Sequence, residues 1–167
     1  VNIRSAIAAD VDEMVCIGRA CPTAPPWSES QYRELFRAAQ PRRMLVLIME
    51  DASGARSTTS EPRRDVCGFL VASHIPQAES QQEWELESIA VDPRVGRRGL
   101  GTRLLHELIT HVAAQGGGSI TLEVRASNTA ARGLYEKCGF SHAGLRKHYY
   151  ANPTEDAILY RTNVEAA

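Results

Sequence analysis

The chain has 167 residues, enough for one domain with a sizeable core. Its 19 basic residues stand against 20 acidic ones, a formal net charge of -1, which argues against a basic surface spread over the whole protein for nucleic acid or anionic lipid and leaves room only for a local basic patch. The apolar run Met44–Met49 is far short of the roughly 20 residues of a spanning helix, and Val1–Asp12, with Asp10 and Asp12, has no apolar stretch of the kind a signal peptide carries, so the expectation is a cytoplasmic protein with no membrane partner.

The chain opens on Val1 rather than Met, so the natural protein is expected to start upstream. Asn2–Ala6 reads as a short strand. Asp10 opens a helix whose Val11, Met14, Val15 and Ile17 form an apolar stripe near period 3.6. Cys21-Pro-Thr-Ala-Pro-Pro breaks it. Ser28, with Gln31 three residues on, has the pattern of a capping box and starts a second helix that buries Tyr32, Leu35 and Phe36. Met44–Met49 and Val66–Ile75 are β-rich apolar runs, expected to be antiparallel strands. The polar stretch Asp51–Asp65 between them reads as a long mobile loop, an insertion. Trp84–Val91 is a further strand stopped by Asp92-Pro93. After Gly99-Leu100-Gly101 comes the strongest helix, with Leu104, Leu105, Leu108, Ile109 and Val112 on one side and Gly116-Gly117-Gly118 at its end. Ile120–Arg125 alternates as a strand, Asn128–Cys138 is a short helix ended by Gly139, and Phe140–Leu145 and Ala157–Thr162 are closing strands. The order β-α-α-β-β-β-α-β-α-β-β predicts an α/β fold over residues 1–167, one domain with helices packed on a sheet.

Cys16, Cys21, Cys67 and Cys138 are scattered without a C-x-x-C pair and read as reduced thiols; His106 and His111 fall on different helix faces, so no metal site is expected. The chemistry concentrates instead at Val95-Gly-Arg-Arg-Gly-Leu-Gly-Thr102, between a strand and a helix. Glycines turn the backbone tightly and present amides, and a helix N-terminus adds roughly half a positive charge. Arg94, Arg97, Arg98 and Arg103 lie alongside, with no acidic residue from Pro93 to His106. A dinucleotide fingerprint starting at Gly99 fails because Leu104 stands where a glycine is needed. A P-loop starting at Gly96 fails because Thr102 stands where lysine is needed. A diphosphate held mainly by backbone amides remains.

Leu86-Glu-Ser-Ile-Ala-Val-Asp-Pro93 followed by Arg97-Arg-Gly-Leu-Gly-Thr-Arg-Leu-Leu105 resembles the acetyl-CoA motif of the GCN5-related N-acetyltransferases (GNAT). Asn128-x-x-Ala131, Leu134-Tyr135 and Gly139-Phe140 resemble that family's second signature. The resemblance implies a single GNAT domain with a mixed, mostly antiparallel central sheet and helices on both faces. It implies acetyl-CoA as co-substrate, its pyrophosphate on the amides of Gly96, Arg97, Arg98, Gly99, Leu100, Gly101 and Thr102. Its pantetheine arm would pair with the backbone of Ile89 and Val91 and touch Asn128. The family usually carries Gln or Arg where this chain has Gly96. A narrower likeness, to bacterial ribosomal-protein alanine N-acetyltransferases, rests on Pro26-Trp-Ser-Glu29, Leu122-Glu-Val-Arg-Ala-Ser-Asn128 and Tyr149-Tyr150. It implies a protein N-terminus as partner, an alanine of a ribosomal protein.

Acetyl transfer to an amine needs a neutral nucleophile, a stabilised oxyanion and a proton for the leaving thiolate. An α-amine (pKa about 7.7–8.0) is easier to deprotonate than lysine (about 10.4) by roughly 3 kcal/mol. Thr121, Glu123 and Arg125 share one strand face, and by the resemblance Glu123 is the candidate base, with Glu85 and Glu87 as alternatives. Tyr135 is the candidate acid or, failing that, a core residue. Asn128 reads equally as a helix N-cap. A backbone N–H of the Ile89–Val91 stretch is the candidate oxyanion donor. Tyr149 and Tyr150, in an expected C-terminal loop, are candidates for closing on a peptide end, and Trp27, Glu29 and Glu87 for bordering the same groove. Cys138 suits packing better than a covalent role, so direct transfer in a ternary complex is expected. A small-amine or lysine acetyltransferase and a silent CoA-binding module remain alternatives.

Overall fold

A computed structural model describes residues 1–51, 66–76 and 82–167. Nearly all of the stretch read as an insertion, residues 52–65, lies outside the described residues. Seven strands and four helices follow the expected order: β1 (Asn2–Ser5), α1 (Val11–Ala20), α2 (Glu29–Glu34), β2 (Met44–Glu50), β3 (Val66–Ile75), β4 (Glu83–Val91), α3 (Leu100–Ala114), β5 (Gly118–Arg125), α4 (Thr129–Lys137), β6 (Ser141–Tyr150) and β7 (Glu155–Val164). Two short 3-10 turns, Ala8–Asp10 and Pro93–Val95, precede α1 and follow β4. Hydrogen bonding orders the strands β1-β2-β3-β4-β5-β7-β6. The sheet is mixed: β1–β2, β5–β7 and β6–β7 are antiparallel, and β4–β5 is parallel.

The chain forms two compact units. The first comprises Val1–Val71 and Ser88–Leu104. Here β1 pairs with β2 from Asn2↔Glu50 to Ser5↔Leu47. Arg4 ties this pair to the turn before α1, with Nη1 2.7 Å from Asp10 and Nη2 2.8 Å from Glu50. The apolar stripe of α1 is buried with Tyr32, Val46, Ile48, Phe69, Val71 and Ala90. Ser28 caps α2 as its sequence predicts: its Oγ accepts the Gln31 N–H, and its own N–H donates to Gln31 Oε1 at 2.8 Å. Tyr32 is thereby set edge-on to Phe69, ring centroids 5.7 Å apart.

The second unit comprises Ala72–Glu87 and Leu105–Ala167. β5 pairs with β7 along its whole length, from Gly118↔Val164 to Arg125↔Ala157. Its parallel register with β4 covers Glu83↔Ser119 to Glu85↔Thr121. Gly118 (φ +144°) has to be glycine: a Cβ there would lie 2.1 Å from the Gln82 carbonyl oxygen. Trp84, fully buried, is met edge-on by His74 and His111. Tyr160 anchors α4, its hydroxyl donating to Glu136 at 2.6 Å and accepting from Arg132 Nε at 3.3 Å.

One element departs from expectation. The strand predicted over Phe140–Leu145 runs on to Tyr150, so Tyr149 and Tyr150 sit in β6 and not in a loop. β6 is a mostly exposed edge strand, and its sequence therefore shows no alternation of apolar and polar residues that would mark its true end. It is also irregular. Between Arg146↔Ala157 and Tyr150↔Glu155 it advances four residues while β7 advances two.

Candidate active site

In the first unit, the strand-to-helix turn is built by short-range bonds. Asp92 is buried, and its carboxylate accepts the Arg94 N–H at 2.9 Å and pairs with the Arg94 guanidinium. These partners hold the Asp92 carboxyl below its ordinary pKa, the Arg94 side-chain bond most of all. Its own N–H donates to the Cys67 carbonyl at 2.9 Å. The backbone then turns through two positive φ angles, Arg97 at 65° and Gly99 at 70°. α3 begins at Leu100, and its first intrahelical bond runs from Arg103 N–H to the Gly99 carbonyl at 3.1 Å. The amides of Leu100, Gly101 and Thr102 precede that bond and so lack intrahelical acceptors, the condition for holding an anion.

The four arginines of the turn are not equivalent. Arg94 is occupied by Asp92. Arg98 Nη1 lies 2.9 Å from Asp51, at the end of β2. Arg103 donates to the Val1 carbonyl at 3.2 Å. Among the described residues Arg97 makes no ion pair, and it is exposed. Gly96 has φ −60° and ψ 171°, extended backbone open to any residue, and a Cβ there would meet only the Pro93 carbonyl at 3.4 Å. The fold does not require glycine at that position. Ile89 and Val91 lie in the second half of β4, half-buried, and the Val91 carbonyl accepts the Cys21 thiol at 3.0 Å. Burial pushes the Cys21 thiol pKa up, consistent with a structural donor.

In the second unit, the β5 face of Thr121, Glu123 and Arg125 carries the polar cluster. Glu123 pairs across β7 with Leu159, and Arg146 Nε lies 3.1 Å from Glu123 Oε1. The Tyr149 phenol is close enough to Glu123 that hydrogen bonding to the carboxylate, and then the charges of Glu123 and Glu85, raise the phenol pKa. Tyr149 and Tyr150 meet edge-on at 5.1 Å, and the Arg125 guanidinium sits over the Tyr150 ring at 4.3 Å. Arg125 also pairs with Glu155 at 3.3 Å.

The irregularity of β6 makes this cluster possible. Consecutive residues of a regular strand point to opposite faces. Here Tyr149 and Tyr150 both act on the Glu123–Arg125 face, because His148 adopts φ 52°. The His148 N–H is held by Asp156 Oδ1 at 2.8 Å.

Tyr135, in α4, is 6% exposed and packs against Phe140 and Tyr160 at 5.9 and 6.1 Å between centroids. Burial pushes its phenol pKa well up, and the field of Tyr150 adds to the effect, so it holds its proton throughout the neutral range. Asn128 is the N-cap of α4, its Oδ1 accepting the Ala131 N–H at 3.1 Å. Glu87 is half-buried on β4, two residues after Glu85. Trp27 packs on Tyr32, ring centroids 5.3 Å apart, against the core of the first unit. Glu29 pairs with Arg33 at 2.7 Å.

Sequence reasoning singles out Glu123, Tyr149 and Tyr150 but misses Arg146 and Asp156. No motif marks either residue; a positive charge three residues before Tyr149 is the sole hint of Arg146. Among the described residues no group of three His, Cys, Asp or Glu is placed to hold a metal ion, and no helix is long and apolar enough to cross a membrane.

A family model described as the acetyltransferase (GNAT) family matches residues 12–140. A ribosomal protein bS18-alanine N-acetyltransferase of Salmonella typhimurium is 51% identical over 79 residues, 46% of this chain and 53% of that protein. This chain thus aligns with about half the length of such relatives. A crystal structure of the ribosomal-protein-S18-alanine N-acetyltransferase from Escherichia coli superposes with a TM-score of 0.78 at 30% identity, covering 99% of this chain and 95% of that one. Arabidopsis thaliana NAA60, crystallised with a bisubstrate analogue, gives a TM-score of 0.81 at 16% identity, covering 99% of both chains, and shares the fold.

Proposed function

The chain belongs to the acetyltransferase (GNAT) family, and from that premise we propose that residues 1–167, as one domain, transfer acetyl from acetyl-CoA to the α-amine of a protein N-terminus. The acceptor is an alanine, that of a ribosomal protein, and the setting is the cytoplasm. The observation that carries this reading is the Leu122–Asn128 strand end, which places Glu123 on the polar face of β5 beside the Tyr149 phenol. Likeness to enzymes named for ribosomal-protein alanine supplies the acceptor.

Acetyl-CoA supplies an activated acyl carbon. The amides from Gly96 to Thr102, that of Arg98 among them, bind its diphosphate through turn and helix dipole, with the Arg97 side chain alongside. The positive φ at Arg97 and Gly99 and the unpartnered amides that start α3 fit that task. The backbone of Ile89 and Val91 aligns the arm, an N–H from that stretch stabilises negative charge on the carbonyl oxygen, and Asn128 contacts the arm while capping α4. Glu123, directly or through water, takes a proton from the α-ammonium, with Glu87 as the alternative base. The freed amine forms the new C–N bond as the C–S bond breaks, in direct transfer, and the nitrogen sheds its remaining extra proton through water to solvent. Tyr135 gives its proton to the departing sulfur and regains one from solvent. Burial makes this phenol a weak acid, so the transfer also requires a desolvated, more basic thiolate. Tyr149 and Tyr150 contact the acceptor's first residues, and Trp27 borders the same groove.

The test is acetyl-CoA with two peptides of one sequence, read by mass spectrometry: one starts with a free alanine and contains lysines, the other has its N-terminus blocked. Acetylation of the free peptide alone, at its α-amine, is the expected result. Reaction at lysine in both replaces the acceptor class. No transfer to either removes the reading in favour of small amines or a silent CoA-binding module.

A further inference from the structure

The carboxylate that the proposed mechanism needs is already neutralised from within. Glu123 faces Arg146 Nε at 3.1 Å and the Tyr149 phenol; no other cation bonds to it among the described residues. The two partners of the ion pair are unequally exposed: the Arg146 side chain is 54% accessible and that of Glu123 20%. The guanidinium is thus the partner more open to solvent. Arg125, the neighbouring cation on the same strand face, is committed to Glu155 and to the Tyr150 ring.

An amine that reaches this face at neutral pH arrives largely as ammonium, since its pKa is about 7.7–8.0 for an α-amine and higher for lysine. It needs the same carboxylate that Arg146 holds, and two cations on one carboxylate repel each other. A guanidinium does not lose its proton at any relevant pH, so Arg146 yields the carboxylate only by moving. Arg146 has the freedom to move: it is half-exposed, and its guanidinium already lies 5.3 Å from the Tyr149 ring, a second resting place for a cation.

We propose that Arg146 is an internal stand-in for the acceptor's ammonium, a positioning residue that holds and orients Glu123 until an incoming amine displaces it. The inference rests on the reading of Glu123 as the acceptor's carboxylate. In this role Arg146 weakens acceptor binding while it keeps the empty site from collapsing around an unpaired charge. Ordinary register delivers it: Arg146 pairs with Ala157, which pairs with Arg125 on the Glu123 face, and the break at His148 then adds Tyr149 to the same face.

The test compares R146M, R146K and E123Q with the unaltered protein, using acetyl-CoA at saturation and whichever amine the two-peptide experiment shows to be acetylated. R146M is expected to lower the acceptor KM about two- to fivefold, the range a half-exposed ion pair is worth. The KM for acetyl-CoA should not move, and R146K should stay near the unaltered value. An acceptor KM that is unchanged or raised in R146M overturns the inference, a rise meaning that Arg146 binds the acceptor itself. E123Q separates the two levels. Lost turnover in E123Q with an unmoved KM in R146M leaves the proposed base standing and removes the stand-in. Full turnover in E123Q removes both.

Discussion

The chain kinks sharply at a non-glycine residue in two functional regions, and the two kinks are held in different ways. At the turn before α3, Arg97 and Gly99 are bracketed by their own neighbours: Asp92 caps on one side, and the Arg103–Gly99 bond starts the helix on the other. In β6, His148 is held by Asp156, eight residues away across the hairpin. The first is a local device that forms with its helix. The second exists only when the hairpin is in register. A local kink suits a binding surface for an invariant group such as a diphosphate. A kink held from the opposite strand suits a surface on which the chain must aim particular side chains.

The largest expected effect separates chemistry from both kinks. Glu123→Gln should lower kcat about 10²–10³-fold with acetyl-CoA binding intact, measured by steady-state rates and calorimetry. Tyr135→Phe keeps the packing on Phe140 and Tyr160 and should cost about 10²-fold in kcat with the melting temperature nearly unchanged; an undiminished kcat would leave Tyr135 as a core residue alone. Asp156→Ala breaks the comparison from the β6 side. The His148 N–H loses its acceptor, kcat/KM for the acceptor should fall about tenfold through a misaimed Tyr149, and the dissociation constant for acetyl-CoA should not move.

Asp92→Asn breaks it from the other side, weakening acetyl-CoA binding and costing about 1 kcal/mol of stability as a damaged cap. The pH dependence gives an independent check. The folded-state pKa of Asp92 lies below its unfolded value of about 3.9, so its contribution is present above that pH and is lost as pH falls through the folded value. The stability gap between Asp92→Asn and the unaltered protein should accordingly close in acid, as denaturant titrations at falling pH would show. The smallest effect is expected at Gly96. Its backbone is open to any residue, so Gly96→Gln should change stability by less than about 0.5 kcal/mol while tightening acetyl-CoA binding. A large loss of stability would mean that the turn needs glycine there after all.

How much of this can be read in the residues follows from the same contrast. Ser28 and Gln31, Gly99, and the alternation from Ile120 to Arg125 are local patterns with local causes, and each predicted element stands where its signal lies. The exit of β6 is different. An edge strand with little buried face carries no apolar period, so its true length past Leu145 is invisible, and so is the fact that Tyr149 leaves the face expected of it. Partnerships between distant residues are equally silent. Four arginines around the turn suggest a uniform basic cluster, yet Arg98 is spent on Asp51 and Arg94 on Asp92. Glu123 is legible through the resemblance carried by its strand; Arg146 beside it has no such marker.

The β6–β7 hairpin also bears on how such a protein diversifies. β6 gains one residue on β7 between His142 and Gly144 and two more between Arg146 and Tyr150, while β7 keeps an unbroken ladder with β5 from Gly118↔Val164 to Arg125↔Ala157. The extra residues are thus absorbed on one outer strand, and the ladder behind it stays unbroken. A change in the length of β6 can therefore be taken up on the outer strand while the β5–β7 ladder, with Glu123 on it, keeps its register.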